Sequence, residues 1–319
     1  YYYVLVPKIN FKESLYLLTN LVLTPEFNPN EFKLEKAVIQ EEIMQQEDQP
    51  EEKLLNILFK TAWGNNPYGR NILGNEKNIN AIKIKDLKDF HFNQYSSNNA
   101  SIAIAGDLPK NILEICENCI LTYPNKNEII LKSPKKYKQL LKHVRKEVIL
   151  ERLEFSRIFI AWQIPEENTQ KTLLGFEILA SILCDGRNSR LIKPLKEENN
   201  LVQSITADIN PGEFGSLFLI EACCKNEYCL LVEERINEIL REIKKSRPIL
   251  KKEINRAIRV IKSTNVFNLE TSFQLTSYFG NHLLWGRYDP LNEFYKNLKY
   301  WNSLKNIQAL VNNLSFEKF

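Results

Sequence analysis

The sequence predicts an α+β protein built as two domains of similar plan, on three observations. Its 319 residues exceed the usual span of one domain. Segments with strand-like apolar patterning lead and segments with helical periodicity follow, and this order occurs twice. Between the two blocks, residues 122–146 hold Pro124, Pro134 and eight basic residues against one acid, Glu128, which is the composition of a solvated linker. The expected division is therefore a first domain over 1–121, a linker over 122–146 and a second domain over 147–319.

In the first block, Tyr1 to Val6 reads as a strand. A helix follows from Asn10, with Glu13 completing a capping box and Phe11, Leu15, Leu18 and Val22 on one face. Asn28 caps the next helix, with Pro29 at its first position and Glu31 as the reciprocal acid. Asp48, Pro50 and Glu51 mark a restart that carries helix through Trp63. Gly64 to Gly74 is a turn-rich loop, Asp86 to Tyr95 a helix, Ala100 to Ala105 a buried strand and Pro109 to Ile120 a helix. In the second block, Glu147 to Pro165 is extended and Thr169 to Leu183 is an apolar helix. Gly186 to Asn200 is a loop and short helix. Strands Leu201 to Ile209 and Gly215 to Ala222 are joined by a hairpin at Asn210-Pro211-Gly212. Helices over Glu227–Lys244, Lys251–Phe267, Thr271–Leu284 and Ser303–Leu314 complete the chain.

The bulk properties exclude several classes of function. A net charge of +4 with no interleaving of bases and aromatics does not describe a nucleic-acid-binding surface. No apolar run approaches the roughly 18 residues of a membrane span. The six cysteines are irregularly spaced, which argues against a disulfide framework and favours a reducing, cytoplasmic setting, with a periplasmic one as the alternative. Cys116 and Cys119 form a C-x-x-C in a helical segment and read as buried thiols. His91, His143 and His282 are scattered singly, so the residues present do not make a complete zinc site.

The most informative feature is the pair Glu35 and Glu42. Seven residues at about 100° each make nearly two full turns, so both carboxylates leave one side of the helix, about 10.5 Å apart along it. Val38 and Ile39 lie between them, with Leu34 and Ile43 beside them. If that apolar stripe is the buried face, the carboxylates go inside and need a cation, a metal or a donor. If it is not, the pair is a solvated polar edge, as most helix carboxylates are. Glu41 lies about 100° round the helix from Glu42.

The ordered motifs FNPNEFKLEKAVIQEEI, NNPYGRNILGNEKNI, LKDFHFNQYSSNNASIAIAGDL and LASILCDGRNSRLIKPLKEENNLVQSITA resemble the metallopeptidase family of insulinase, pitrilysin and the mitochondrial processing peptidase. The resemblance covers nearly the whole chain. It implies two homologous α+β domains, each a mainly antiparallel sheet packed on helices in a half-chamber, with the first domain incomplete. It implies Zn2+ as cofactor, Glu42 as a zinc ligand and Glu35 as the accessory carboxylate of catalysis. Peptides or unfolded polypeptides are the implied substrates. The family's H-x-x-E-H motif, which supplies two histidine ligands and the general base, is not in this sequence. Without it the 319 residues are expected to be inactive alone, and either the motif lies upstream of Tyr1 or the protein is a non-catalytic scaffold or substrate-binding subunit. The absence of an initiator Met favours the former expectation. In the second domain, Lys196 and Gln203 stand where single-chain members carry a substrate-binding Arg and Tyr. That departure resembles the zinc-bearing subunit of two-chain relatives and implies a homologous partner, in a heterodimer or a homodimer.

Overall fold

The computed structural model describes residues 1–121, 144–150, 153–164, 169–212 and 215–314. Nearly all of the expected basic linker, 122–143, lies outside the described residues, as does His143. The helices are α1 (Phe11–Leu23), α2 (Pro29–Asp48), α3 (Pro50–Trp63), α4 (Glu76–Ala81), α5 (Ile84–Gln94), α6 (Ile112–Leu121), α7 (Gln170–Cys184), α8 (Cys229–Lys244), α9 (Lys251–Phe267), α10 (Ser272–Leu284), α11 (Pro290–Trp301) and α12 (Leu304–Asn313). The strands are β1 (Ser156–Gln163), β2 (Val202–Asn210) and β3 (Leu217–Cys224). The chain divides into two compact units: Tyr1–Glu42 with Asn75–Ser133 and Asn265–Pro290, and Ile43–Gly74 with Pro134–Thr264 and Leu291–Phe319.

The first unit is helical among the described residues. Thr19 on α1 is buried, donates to the Leu15 carbonyl at 2.7 Å and accepts from the Cys119 thiol of α6 at 3.4 Å. Cys119 of the C-x-x-C is thus a packed thiol, as expected. His91 on α5 meets the Val22 carbonyl at the end of α1 through Nε2 at 2.8 Å. The expected cap on α1 is not made, since Asn10 forms no side-chain capping bond.

Two expected strands of this unit are not strands. Tyr1–Val6 and Ala100–Ala105 have the right apolar patterning, but neither enters a ladder among the described residues. A strand needs a hydrogen-bonding neighbour, and the contacts present are made by side chains instead. The Tyr2 and Tyr95 hydroxyls meet at 3.0 Å, the Tyr3 ring lies 4.7 Å from that of Phe273, and the Ser101 hydroxyl donates to the Gly280 carbonyl at 3.1 Å. Ala100–Ala105 is also not buried, with Ile102 exposed.

The second unit holds the sheet and a large continuous core. Its strands are antiparallel in the order β1-β3-β2. Ile158, Ile160 and Trp162 of β1 lie beside Ala222, Ile220 and Phe218 of β3, and Ile205 and Ala207 of β2 extend the same face. That face packs on α7, whose buried residues run from Leu173 to Leu183 with Glu177 alone exposed among them. Val232, Ile236, Ile239, Leu240 and Ile243 form the buried stripe of α8 at helical spacing. Ile254 and Ile258 of α9 and Ile307 and Val311 of α12 close the core. The α11 helix was not anticipated, although Pro290 at its start and Leu291, Phe294, Leu298 and Trp301 at helical spacing carry the signal.

Two close approaches set the packing here. Trp301 donates its indole N–H to the Lys171 carbonyl at 2.6 Å and lies so near Gly175 that a Cβ there would meet its ring carbons at 2.6 to 3.0 Å. After α7, the chain turns at Gly186, whose φ of 77° is left-handed, and delivers Arg190 to a fork with Glu253: Nε to Oε1 at 2.7 Å and Nη2 to Oε2 at 2.8 Å. Arg190 also donates to the Arg247 and Pro248 carbonyls, and Glu253 Oε2 accepts from the Leu250 amide at the start of α9. Burial alone would raise the Glu253 carboxyl, but hydrogen bonds from Arg190 and Leu250, with the charges of Arg190 and Arg256, hold it below the usual range.

Substituting Gly175→Val overpacks this contact and is expected to cost about 1–3 kcal/mol, read as a lower urea midpoint. Arg190→Ala removes the guanidinium from the part-buried Glu253, leaving it the Leu250 amide, and is expected to cost about 1–3 kcal/mol. Because the folded Glu253 is the stronger acid, its contribution is present above the unfolded carboxylate pKa of about 4.3 and is lost as pH falls through the folded value. Urea melts from pH 7 down to 3 should therefore show a steeper acid loss in the wild type than in Glu253→Gln.

Candidate functional site

The rotation of α2 about its own axis decides what Glu35 and Glu42 can do. Asn28 caps the helix, its Oδ1 accepting from the Asn30 amide at 2.8 Å and the Glu31 amide at 3.4 Å. Lys36 then donates to the Asn80 and Ile82 carbonyls, both at 3.0 Å, placing its ammonium at the negative end of α4. Gln40 Nε2 reaches Asn80 Oδ1 at 2.8 Å. One turn on, Ile43 is 7% exposed, and Gln46 accepts from Asn71 Nδ2 at 2.8 Å. The inward face of α2 is thus Phe32, Lys36, Ile39, Gln40, Ile43 and Gln46.

That setting turns the carboxylates outward. Glu35 and Glu42 lie roughly a quarter-turn from the middle of the packed face and are both exposed. Leu34 and Val38 beside them are 68% and 50% exposed, so most of the apolar stripe between the glutamates is not a buried face in these residues. Only Ile43 of that set is buried. Among the described residues neither carboxylate has an ion-pair or hydrogen-bond partner. Glu41 is exposed too, on a different side of the helix.

No group of three or more His, Cys, Asp or Glu that could hold a metal occurs among the described residues. His91 is committed to Val22 and stacks on Tyr95, with centroids 4.5 Å apart. His282 packs against Tyr278 in α10. A zinc ion needs about four donors, and Glu42 can supply one. Its carboxylate fits that part, since it is accessible and, among the described residues, not paired with a lysine or arginine.

Lys196 and Gln203 belong to the second unit. Lys196 is exposed near the end of the π-helical turn Lys193–Glu198. Gln203 sits at the register shift between Val202 and Ser204, where β2 bulges against β3, and its Oε1 accepts from the Cys223 thiol at 3.3 Å. Sequence reasoning missed the polar group beside it, on the sheet face opposite the core. Arg157 Nε and Nη2 contact Glu51 Oε1 at 3.0 and 2.9 Å, and Nη1 reaches the Cys223 sulfur. Burial pushes the nearby Glu221 carboxyl up against the lowering pull of Arg157, and the Glu51 charge adds to the rise. The available signal was Arg157, Glu221 and Cys223 at alternate positions of otherwise apolar strands.

Comparison with known proteins places this geometry in a family. Residues 1–76 match the description "Insulinase (Peptidase family M16)", and residues 81–261 match "Peptidase M16 inactive domain". The chain belongs to peptidase family M16. It is 24% identical over 320 residues to the "Uncharacterized zinc protease YmxG" of Bacillus subtilis, covering 100% of this chain and 76% of that one. It is 31% identical over 105 residues to a "Probable mitochondrial-processing peptidase subunit beta, mitochondrial" of Arabidopsis thaliana, covering 33% of this chain and 20% of that protein. Among solved structures, a protease from Helicobacter pylori superposes with a TM-score of 0.84 at 20% identity, over 97% of this chain and 74% of that one, which shows the shared α+β fold. No helix among the described residues is long and apolar enough to cross a membrane.

Since neither glutamate is packed or paired, the metal-free double variant Glu35→Gln/Glu42→Gln should keep its unfolding free energy within about 0.5 kcal/mol of wild type in urea melts.

Proposed function

We propose that this M16 chain is the zinc-bearing part of an endopeptidase that hydrolyses peptides or unfolded polypeptides in a chamber formed with a homologous partner subunit. The observation that carries the reading is the Glu35–Glu42 pair: two carboxylates on one exposed side of one continuous helix, without a cationic partner among the described residues. Glu42 would hold the metal as one carboxylate ligand, with the remaining donors supplied from outside these 319 residues. When bound, zinc polarises a peptide carbonyl and lowers the pKa of its water. Glu35, two turns before Glu42 on the same side, would hold that carboxylate's surroundings in place. The helix supports this division of labour because Lys36, Gln40 and Ile43 fix its rotation without using either glutamate. A cytoplasmic location and Zn2+ as the resident metal are part of the same proposal.

The need for a partner subunit in this reading has its own support in the second unit. Lys196 keeps a positive charge but lacks the planar fork of arginine, and Gln203 offers an amide in place of a phenol. Gln203 is also engaged by Cys223. In our proposal these positions leave the backbone of the substrate to be held by the partner subunit.

In the full-length protein, Glu42→Gln is expected to lose bound zinc while keeping its fold, and Glu35→Gln to lower peptide hydrolysis more than zinc content. Atomic emission on the purified variants decides the first point, and unchanged zinc stoichiometry in Glu42→Gln would refute the ligand assignment. Peptidase assays at saturating zinc decide the second.

A further inference from the structure

Three of the six cysteines fall within seven residues, Cys223, Cys224 and Cys229, at the corner where β3 leads into α8. We propose that Cys224 and Cys229 are a redox-closable dithiol, oxidised by a small-molecule disulfide of the glutathione class to an intramolecular disulfide that ties the end of β3 to the first turn of α8. The geometry singles out this pair. Their sulfurs stand 3.7 Å apart, with the one turn Asn226–Tyr228 between the two elements. Bonding requires the sulfurs to close by about 1.6 Å, within reach of side-chain rotation at Cys229. Cys223 is adjacent in sequence, but its side chain leaves the other face of the strand, toward Arg157 and Gln203.

Access and order of attack follow from burial. Cys229 is half-buried, whereas Cys224 is 1% exposed within the core face of β3. The Cys229 thiolate would attack the small disulfide, forming a mixed disulfide and releasing one small thiolate. Cys224 would then attack the Cys229 sulfur, pass its proton to the departing second thiolate and complete the bond. Two protein thiols lose two hydrogens and two electrons, and one small disulfide becomes two small thiols. Burial and the neighbouring Cys229 push the Cys224 thiol up to about 12, which makes it the slower nucleophile of the two and leaves the first attack to Cys229.

The experiment equilibrates the full-length protein in buffers of oxidised and reduced glutathione, blocks remaining thiols by alkylation and maps tryptic peptides without reduction. Trypsin cuts after Lys196, Lys225 and Arg235, so closure links peptide Glu197–Lys225 to peptide Asn226–Arg235. The expected result is that linked pair, lighter than the two reduced peptides by about 2 Da, in the monomer of both wild type and Cys223→Ser. It should be absent from Cys229→Ser, a half-buried position chosen so that folding is retained. Cys224 and Cys229 both persisting as alkylatable thiols in excess oxidised glutathione would overturn the proposal. A mixed disulfide that stays on Cys229, a link lost in Cys223→Ser, or a link found only in a covalent dimer would do the same.

Discussion

The axial rotation of α2 is the constraint on which the reading of this protein depends. A helix offers one degree of freedom that its own sequence leaves loose, namely which side faces its neighbours. Here Lys36 settles it by placing an ammonium on the carbonyl end of α4, with Gln40 and Ile43 in line behind it. A rotation of a quarter-turn would bury Glu35 and Glu42 and expose Ile39 and Ile43. The observed setting leaves both carboxylates available, and leaves Leu34 and Val38 beside them uncovered.

The second unit owes its order to a different force. Its sheet has one strongly apolar face and is roofed by α7, buried from Leu173 to Leu183 except at Glu177, so burial dominates and little choice of register remains. The polar devices are confined to edges of this core. Arg190 and Glu253 join the loop after α7 to the start of α9, and Arg157 joins β1 to Glu51 on α3. Both use the guanidinium fork, which allows one side chain to bind a carboxylate and further acceptors together.

The extent to which the sequence was readable varied with how local the signal was. Caps and periodicity placed α2, α7, α8 and the β2–β3 hairpin within a residue or two, because each depends on neighbours in the chain. The same reasoning made strands of Tyr1–Val6 and Ala100–Ala105, where apolar alternation was present but the described residues give no ladder partner. It also passed over α11, whose helical spacing was legible; what the sequence could not show is that Trp301 is fixed by Gly175 and Lys171 more than a hundred residues earlier. The polar group around Arg157 was hidden because Arg157, Glu51 and the Glu221–Cys223 pair come from three separate elements, β1, α3 and β3.

By itself the sequence determined the spacing of Glu35 and Glu42 on one side of a helix and the family motifs that frame them. Helix geometry and chain order are properties of neighbouring residues, and so they can be read without coordinates. Only the tertiary structure decided that the two carboxylates face outward, unpaired among the described residues, while Lys36 and Ile43 of the same helix face in. Burial depends on residues far away in the chain, here Asn80 and Ile82, whose carbonyls meet α2 only once the unit has folded.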